Sequence, residues 1–326
     1  MDIQYLLFLQ NLRQYTESFL APIMDWLTKL AVSFWPMTII FLIYWAFDRK
    51  AGRRMLAGIS LGYFMNGFLK LTFCVYRPWI RDSRIVPYGD SKVAATGYSF
   101  PSGHSTAATA RYGSIGMWFR KHNKAIAAVM FAMIALTMFS RNYLGVHTPQ
   151  DVLVGFGSTA LMLVLGNAIE NWSDKDSAKR DRIILAAGLA LVVAALLYYE
   201  LKSYPMDYQA DGSLLVDYQK MIPDSFEGLG FVSAYAICRI FERRGFAFDE
   251  LMDWRDRFFI GVIALIPYIW WDNHIISLCT SLGSKLAGKF LWSAGTVVYV
   301  MIIVPYIMKK VYESGVLNTA RSRVKA

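Results

Sequence analysis

Cysteine and charge are both scarce in this sequence. The 326 residues include only three cysteines, and charged residues make up 18% of the chain. Cys74, Cys238 and Cys279 lie far apart and mostly within apolar segments. An odd, scattered set is not typical of a disulfide framework or a zinc site, so we expect these side chains to be small packing residues. The sequence predicts no metal site and no cofactor.

A cleavable signal sequence is also missing. Residues 1–20 contain Asp2 and Glu17, and they lack the charged, apolar and small segments that precede a cleavage site. Apolar residues are abundant instead: 56% of the chain is hydrophobic, and the mean hydropathy is +0.34. Apolar runs recur at roughly the 20 residues needed to cross a bilayer. The composition therefore indicates a polytopic membrane protein, and the first span is expected to serve as the insertion signal.

The apolar runs predict an all-α transmembrane helix bundle of about nine spans. An N-terminal interfacial helix occupies residues 1–24, a core with five spans occupies 25–170, and a C-terminal extension of about four spans occupies 171–326. The predicted spans cover about 25–47, 55–76, 102–119, 125–139, 150–169, 183–201, 226–241, a segment ending near Ile276, and 286–308. A basic loop is predicted at 49–54, a polar loop at 173–182, an outer loop at 202–225 and a charged loop at 242–257.

Basic residues are distributed unevenly between the two sides of these spans. In a soluble protein, the net charge of +10 would suggest nucleic acid. Here most Lys and Arg residues fall in the C-terminal tail and in the loops after spans one, three, five and seven. Such residues mark cytoplasmic loops. The pattern predicts an external N-terminus, a cytoplasmic C-terminus and no nucleic acid partner.

Three polar blocks interrupt the apolar pattern, each at a predicted outer end of a span. They are Lys70-x6-Arg77-Pro78, Pro101-Ser102-Gly103-His104 and Ser140-Arg141-x5-His147-x3-Asp151. A charged residue near a bilayer is costly unless it is paired or faces a wet cavity. The blocks therefore predict a single extracytoplasmic site for a small, highly charged group.

The residue types in these blocks favour phosphate as that group. Lys70, Arg77 and Arg141 can donate to phosphate oxygens. Ser102 adds a hydroxyl, and Gly103 lets the backbone approach an anion at a helix start, where free N–H groups and the helix dipole favour negative charge. Together they predict a cradle for a phosphoryl group.

Two histidines add catalytic chemistry to the predicted cradle. Asp151 follows His147 by four residues, on the same face if the segment is helical. The carboxylate can accept from one ring nitrogen and leave the other as a nucleophile. His104 can protonate the leaving oxygen and later activate water. The set predicts metal-independent hydrolysis of a phosphate monoester or diphosphate through a phosphohistidine.

The three blocks resemble the signature of the type 2 phosphatidic acid phosphatase superfamily, a family of integral-membrane lipid phosphatases. The runs Gly97–His104 and Ser140–Asp151 look most like bacterial members and sphingosine 1-phosphate phosphatases. The resemblance covers residues 25–169 and implies a lipid phosphate substrate in a bacterial plasma membrane. It also implies phosphate binding by Lys70, Arg77, Ser102, Gly103 and Arg141, with His104 as acid, His147 as nucleophile and Asp151 as its partner. Many members have six spans, with two before the first block, whereas one is predicted here.

Two alternatives use the same residues. A phosphotransferase would pass the phosphoryl group to another lipid or sugar, and a non-catalytic carrier would only bind the phospholipid. The intact acid, nucleophile and carboxylate argue against the carrier, since binding needs only the cations. Phosphatidic acid, phosphatidylglycerol phosphate, a polyprenyl pyrophosphate and a sphingoid phosphate all remain candidate substrates, and the sequence leaves the oligomeric state open.

Four further features carry weaker predictions. Arg111 lies two helical turns below His104, where it either extends the cationic cavity or pairs with a buried carboxylate or carbonyl. His122 is expected in a solvated loop, and His274 in an aromatic belt. The acid-rich loop 207–227 is expected to be solvated, with gating or anion exclusion as the alternative.

Overall fold

The computed structural model describes residues 2–94, 97–209, 211–245 and 251–316, and this part of the chain is all-α. A π-helical turn, Ile43–Phe47, extends the helix Phe34–Leu42, and another, Tyr299–Ile303, joins the last two described helices. The helices are α1 (Asp2–Thr16), α2 (Leu20–Val32), α3 (Phe34–Leu42), α4 (Arg49–Phe73), α5 (Pro78–Arg81), α6 (Ser91–Ala94), α7 (Gly103–Phe119), α8 (Lys124–Tyr143), α9 (Pro149–Ser173), α10 (Ser177–Leu201), α11 (Ile222–Gly245), α12 (Trp254–Ser281), α13 (Lys285–Val298) and α14 (Val304–Glu313).

Within the residues that the structure describes, five helical segments are long and apolar enough to cross a membrane. They are Lys124–Tyr143, Pro149–Ser173, Lys179–Leu201, Trp254–Ser281 and Lys285–Glu313, and a sixth is added if the pair Leu20–Val32 and Phe34–Phe47, bent by 42°, forms one span. The remaining predicted spans correspond to α4, α7 and α11. All three carry charged residues, and α7 is buried over most of its length. Neighbouring helices, rather than lipid, cover much of their surface, so they are less apolar than a lipid-exposed span.

The predicted basic loop at 49–54 is wrong, because these residues form the first turns of α4. The Asp48 side chain caps this helix by accepting from the Ala51 amide at 2.9 Å. Arg53 is buried and makes a 2.6 Å ion pair with Glu170. The paired carboxylate offsets the cost of burying the guanidinium, so a charged stretch can form the start of a buried helix. The predicted loops at 173–182 and 242–257 are also shortened by helix α10 from Ser177 and by helix α11 up to Gly245.

The predicted N-terminal helix at 1–24 is divided in two. Helix α1 ends at Thr16, and Leu20 begins α2, so residues 20–24 are continuous with the first predicted span. Arg13 on α1 is buried, donates to the Tyr143 carbonyl at 3.0 Å and also binds the Val86 carbonyl. Helix α1 therefore packs against the protein at the end of the bundle where the polar blocks lie.

Helix α4 lies at the centre of the bundle and contacts α7, α9 and α11. Its approach to α9 is closest at Gly58 and Gly166, where a Cβ added to Gly166 would lie 2.5 Å from the Gly58 nitrogen. One buried apolar cluster extends from Met37 on α3 to Met308 on α14. The predicted core and the C-terminal extension therefore share a buried apolar cluster.

A buried ion-pair cluster closes the end of the bundle opposite the polar blocks. Glu170 on α9 accepts from Arg53 of α4 at 2.6 Å, from Arg239 of α11 at 2.5 Å and from the Tyr235 hydroxyl at 2.7 Å. Arg239 also pairs with Asp181 at the start of α10. Because a buried charge is tolerated only when it is paired, this cluster ties α4, α9, α10 and α11 together.

Candidate active site

The three polar blocks meet around one cavity of about 440 Å³. The first block comes from the C-terminal end of α4 and the residues after it, the second opens α7, and the third joins α8 to α9. Six of the eight predicted residues line the cavity, while Ser102 and Asp151 are buried directly behind it. The six lining residues are Lys70, Arg77, Gly103, His104, Arg141 and His147.

The start of α7 is held against the start of α9. The Ser102 amide donates to the Asp151 carbonyl at 2.9 Å. The Ser102 hydroxyl, predicted as a phosphate donor, accepts from the Ser105 amide at 3.3 Å and caps the helix. This cap leaves other first-turn N–H groups of α7 as potential anion donors, because a helix start has more N–H groups than intrahelical partners.

Lys70 positions the turn that leads into α7. Its ammonium donates to the carbonyls of Tyr98 at 3.2 Å and Pro101 at 2.8 Å. An ammonium has three donors, and two of them are used here. Lys70 therefore fixes the backbone just before Gly103 while its charge stays at the cavity wall.

The partners of His147 define its tautomer. The Arg77 Nη1 donates to Nε2 at 2.9 Å, so Nε2 carries a lone pair. The other ring nitrogen, Nδ1, lies 3.3 Å from Asp151 Oδ2, and a carboxylate only accepts, so Nδ1 carries the proton. The Nε2 lone pair of His147 therefore points toward the Arg77 guanidinium at the cavity.

The Asp151 carboxylate is fixed by several neighbours. Its Oδ2 accepts from the Ser99 hydroxyl at 2.5 Å and from the Thr148 amide at 2.8 Å. The Thr148 hydroxyl in turn accepts from the Asp151 amide at 3.4 Å, which completes a capping box at the start of α9. The Asn142 side chain holds the His147 carbonyl at 2.8 Å. The imidazole orientation is thus set before any ligand binds.

Burial lowers the pKa values of both His147 and Arg77, which lie in the segments between the helices. Burial lowers the pKa of His147 well below its ordinary value, and the Arg77 guanidinium lowers it further. Burial also lowers the pKa of Arg77 to about 10. At neutral pH the ring of His147 is therefore neutral while Arg77 stays charged, which is the pairing that a nitrogen nucleophile next to an anion requires.

Two arginines complete the cationic wall. Arg141 donates to the Thr28 hydroxyl of α2 at 3.1 Å, and its buried Nε has no hydrogen-bond partner within the described part of the chain. Arg111 lines the cavity and also donates to the carbonyls of Ala31 at 3.1 Å and Ser33 at 2.8 Å. Both predicted alternatives for Arg111, cavity lining and pairing with a carbonyl, are thus found together.

Several site residues were missed by the sequence reasoning. Ser99 and Asn142 lie beside residues of the motif blocks, and this proximity in the chain is the signal that could have identified them. The acid-rich segment 207–227, predicted to be a solvated loop, is helical from Ile222, and its Asp224 and Glu227 line the cavity from α11. Two further charged lining residues, Asp272 of α12 and Lys289 of α13, had no local signal. His122 and His274 are exposed and each bonds a carbonyl one turn earlier, outside the cavity. The described residues contain no group of three or more His, Cys, Asp or Glu arranged to hold a metal ion.

Comparisons with known proteins show the family of the chain. The PAP2 superfamily model matches residues 51–176. Undecaprenyl-diphosphatase BcrC of Bacillus subtilis (strain 168) is 32% identical over 164 residues, which cover 48% of this chain and 77% of that protein. Phosphatidylglycerophosphatase B of the same organism is 31% identical over 160 residues, which cover 46% of this chain and 74% of that protein. The search of solved structures gave no significant match.

Proposed function

Since the chain belongs to the PAP2 superfamily, we propose that it is an integral-membrane phosphatase that removes phosphate from a lipid phosphate or lipid diphosphate. The proposal assigns a phosphohistidine intermediate to His147. The observation that carries it is the state of this ring, with Nδ1 toward Asp151 and the Nε2 lone pair toward Arg77 at the cavity. A phosphate that enters would accept the Arg77 N–H in place of Nε2, which frees the Nε2 lone pair to attack the phosphorus atom.

The proposed reaction has two steps. In the first, the Nε2 lone pair of His147 attacks phosphorus, the bond to the leaving oxygen breaks, and His104 donates a proton to that oxygen. In the second, His104 takes a proton from water, the water oxygen attacks phosphorus, and the P–N bond breaks to give inorganic phosphate and free His147. Each proton and electron pair is returned, so the enzyme ends as it began.

The cations are proposed to stabilise the charge that develops on the phosphoryl oxygens. Arg77, Arg141 and the start of α7 approach the same cavity, and Lys70 supports the turn between them. Preorganised donors of this kind are the main contribution proteins make to phosphoryl transfer. No metal is assigned a step, because the arginines and the helix start supply the charge stabilisation in this proposal.

The orientation in the membrane is also a proposal. We place nine spans across the bilayer, with the N-terminus and the cavity outside and the C-terminus inside. Support comes from the basic residues Arg120, Lys121 and Lys124, which follow α7 at the end of that helix remote from its site residues. In this scheme α4, α7 and α11 count as spans that are covered by other helices, and residues 171–326 are an extension packed on the core. Labelling of Asp90→Cys from outside, and of Lys121→Cys only after permeabilisation, is the expected result; the reverse pattern would exclude this orientation.

Phosphate release tests the proposed reaction directly. Purified protein in detergent with EDTA should release inorganic phosphate from lipid phosphates, and His147→Ala should abolish this release. The matched control is His274→Ala, since that ring is exposed and lies outside the cavity. A phosphorylated protein that is acid-labile and base-stable should accumulate in a rapid quench. Full activity of His147→Ala would refute the nucleophile assignment, and phosphorylated acceptor lipid in place of free phosphate would indicate a transferase.

A further inference from the structure

The cavity continues beyond the phosphate-binding residues toward the C-terminal half of the chain. Arg111 lies seven residues after His104 on α7, which places its backbone about 10 Å further along the helix axis. Asp272 of α12, together with Glu227 of α11 and Lys289 of α13, lines the facing wall. Phosphate binding in the outer part of the cavity does not require these charged side chains in the inner part.

Arg111 keeps a donor for a ligand in this inner part. Its side chain is 4% exposed, and the carbonyls of Ala31 and Ser33 both receive their hydrogen bonds from Nη1. The buried Nε has no partner among the residues that the structure describes. Because both carbonyls are bound by Nη1, the part of the guanidinium that lines the cavity can donate to a ligand acceptor.

The facing carboxylates are fixed and can accept hydrogen bonds. Asp272 Oδ1 accepts from the Trp292 indole at 3.0 Å and from the Tyr268 hydroxyl at 3.3 Å. Both of these donors go to Oδ1, which leaves the Oδ2 of this residue as an acceptor. Glu227 binds Lys289, whose ammonium also lies 3.6 Å from Asp224. The carboxylates are therefore held in place by protein donors while retaining free lone pairs.

We infer that Arg111, Asp272 and Glu227 form a headgroup subsite that binds free hydroxyl groups on the alcohol part of a phosphate monoester. This inference rests on the proposed phosphatase function and identifies the substrate class of the same site. A hydroxyl is the neutral group that both accepts from a guanidinium and donates to a carboxylate. The cavity volume of about 440 Å³ lies in the range of small-ligand sites, roughly 300–1,000 Å³.

The same charges disfavour the two other ligand types. A second phosphate of a diphosphate would meet three carboxylates, Asp224, Glu227 and Asp272, beside the two cations Arg111 and Lys289. Because the carboxylates outnumber the cations and already pair with Lys289, a further anion is repelled at short range. A hydrocarbon chain placed here would desolvate Arg111 and the carboxylates without giving them partners. The inner wall should therefore select a hydroxylated headgroup over a prenyl diphosphate.

A matched pair of lipids tests the subsite. The probes are 1-acyl-glycerol 3-phosphate, its analogue without the 2-hydroxyl, and farnesyl diphosphate, each assayed for phosphate release by the full-length protein in detergent. We expect kcat/KM for the hydroxylated lipid to exceed that for the deoxy lipid by about 10- to 100-fold, which corresponds to one hydrogen bond with a charged group. Farnesyl diphosphate should be the poorest of the three.

Substitutions then attribute the preference to the inner wall. Asp272→Asn and, separately, Glu227→Gln should bring the ratio between the two lipids down at least several-fold, whereas the exposed control Asp90→Asn should keep the wild-type ratio. Equal kcat/KM for both lipids with the wild-type protein would overturn the inference even if neither variant folds. Absence of phosphate release from all three probes would instead refute the proposed phosphatase function, so the two failures are distinguishable.

Discussion

The Ser99 hydroxyl offers a sharp test of how the imidazole is positioned. Ser99 is 1% exposed and donates to Asp151 Oδ2 at 2.5 Å, while it lies 3.3 Å from His147 Nδ1. Removing the hydroxyl in Ser99→Ala takes one of the donors from a buried carboxylate. Hydrogen bonds to charged groups contribute about 1.5–3 kcal/mol, so the loss corresponds to about a 10- to 100-fold effect.

This effect should appear in kcat rather than in KM. Ser99 does not line the cavity, and the cations that do are unchanged by the substitution. The assay is steady-state phosphate release over a range of substrate concentrations. The matched control is Ser114→Ala, since Ser114 is also fully buried but its hydroxyl bonds only the Ala110 carbonyl of its own helix at 2.6 Å. A wild-type kcat for Ser99→Ala, or a raised KM with unchanged kcat, would refute the positioning role.

Three further predictions follow from burial, charge pairing and close helix contact. Burial holds the pKa of His147 below its ordinary value of 6.5, so the ring stays neutral and nucleophilic until the pH falls below that value. The acid limb of kcat/KM should therefore lie below pH 6.5, and a limb at or above pH 6.5 in the pH–rate profile would contradict this. Glu170→Gln removes a carboxylate that pairs with three arginines, Arg53, Arg239 and Arg243, and should lower the free energy of unfolding in denaturant by about 3–5 kcal/mol. A loss under about 1 kcal/mol would argue against the cluster. Gly166→Ala places a Cβ 2.5 Å from the Gly58 nitrogen and should destabilise the protein by about 1–3 kcal/mol, whereas Gly157→Ala, with open space around it, should not; equal thermal stability of the two would exclude the close contact.

The site residues near the motif blocks were predictable because their signal is local. A cation one turn before a helix end, a Ser-Gly turn and a His–Asp pair at a spacing of four each define a position on a helix end. Once several helices place such groups at the same end of a bundle, a shared cavity is the expected outcome. The structure brings Lys70, His104, Arg141 and His147 to that cavity.

The inner wall was not predictable because its signal is tertiary. Asp272 is more than a hundred residues from the last motif residue and sits within a continuous helix whose spacing marks no site. The sequence places Arg53 in a loop for the same reason, because its partner Glu170 is separated from it by 117 residues. Charge patterns read along the chain cannot distinguish a solvated cation from one neutralised by a distant carboxylate.

The length of the similarity to known proteins is a poor guide to where this protein can be cut. The family match ends at residue 176, yet Glu170 inside it depends on Arg239, and the central helix α4 is covered on one side by α11. A chain shortened at residue 176 would keep every motif residue. It would lose Arg239, which pairs with the buried Glu170, and it would lose α11, which covers one side of α4. We therefore expect the helices after residue 176 to be needed for the folding of the motif-bearing helices. A shorter version of this protein would need new side chains on the surfaces of α4 and α9 that α11 now covers.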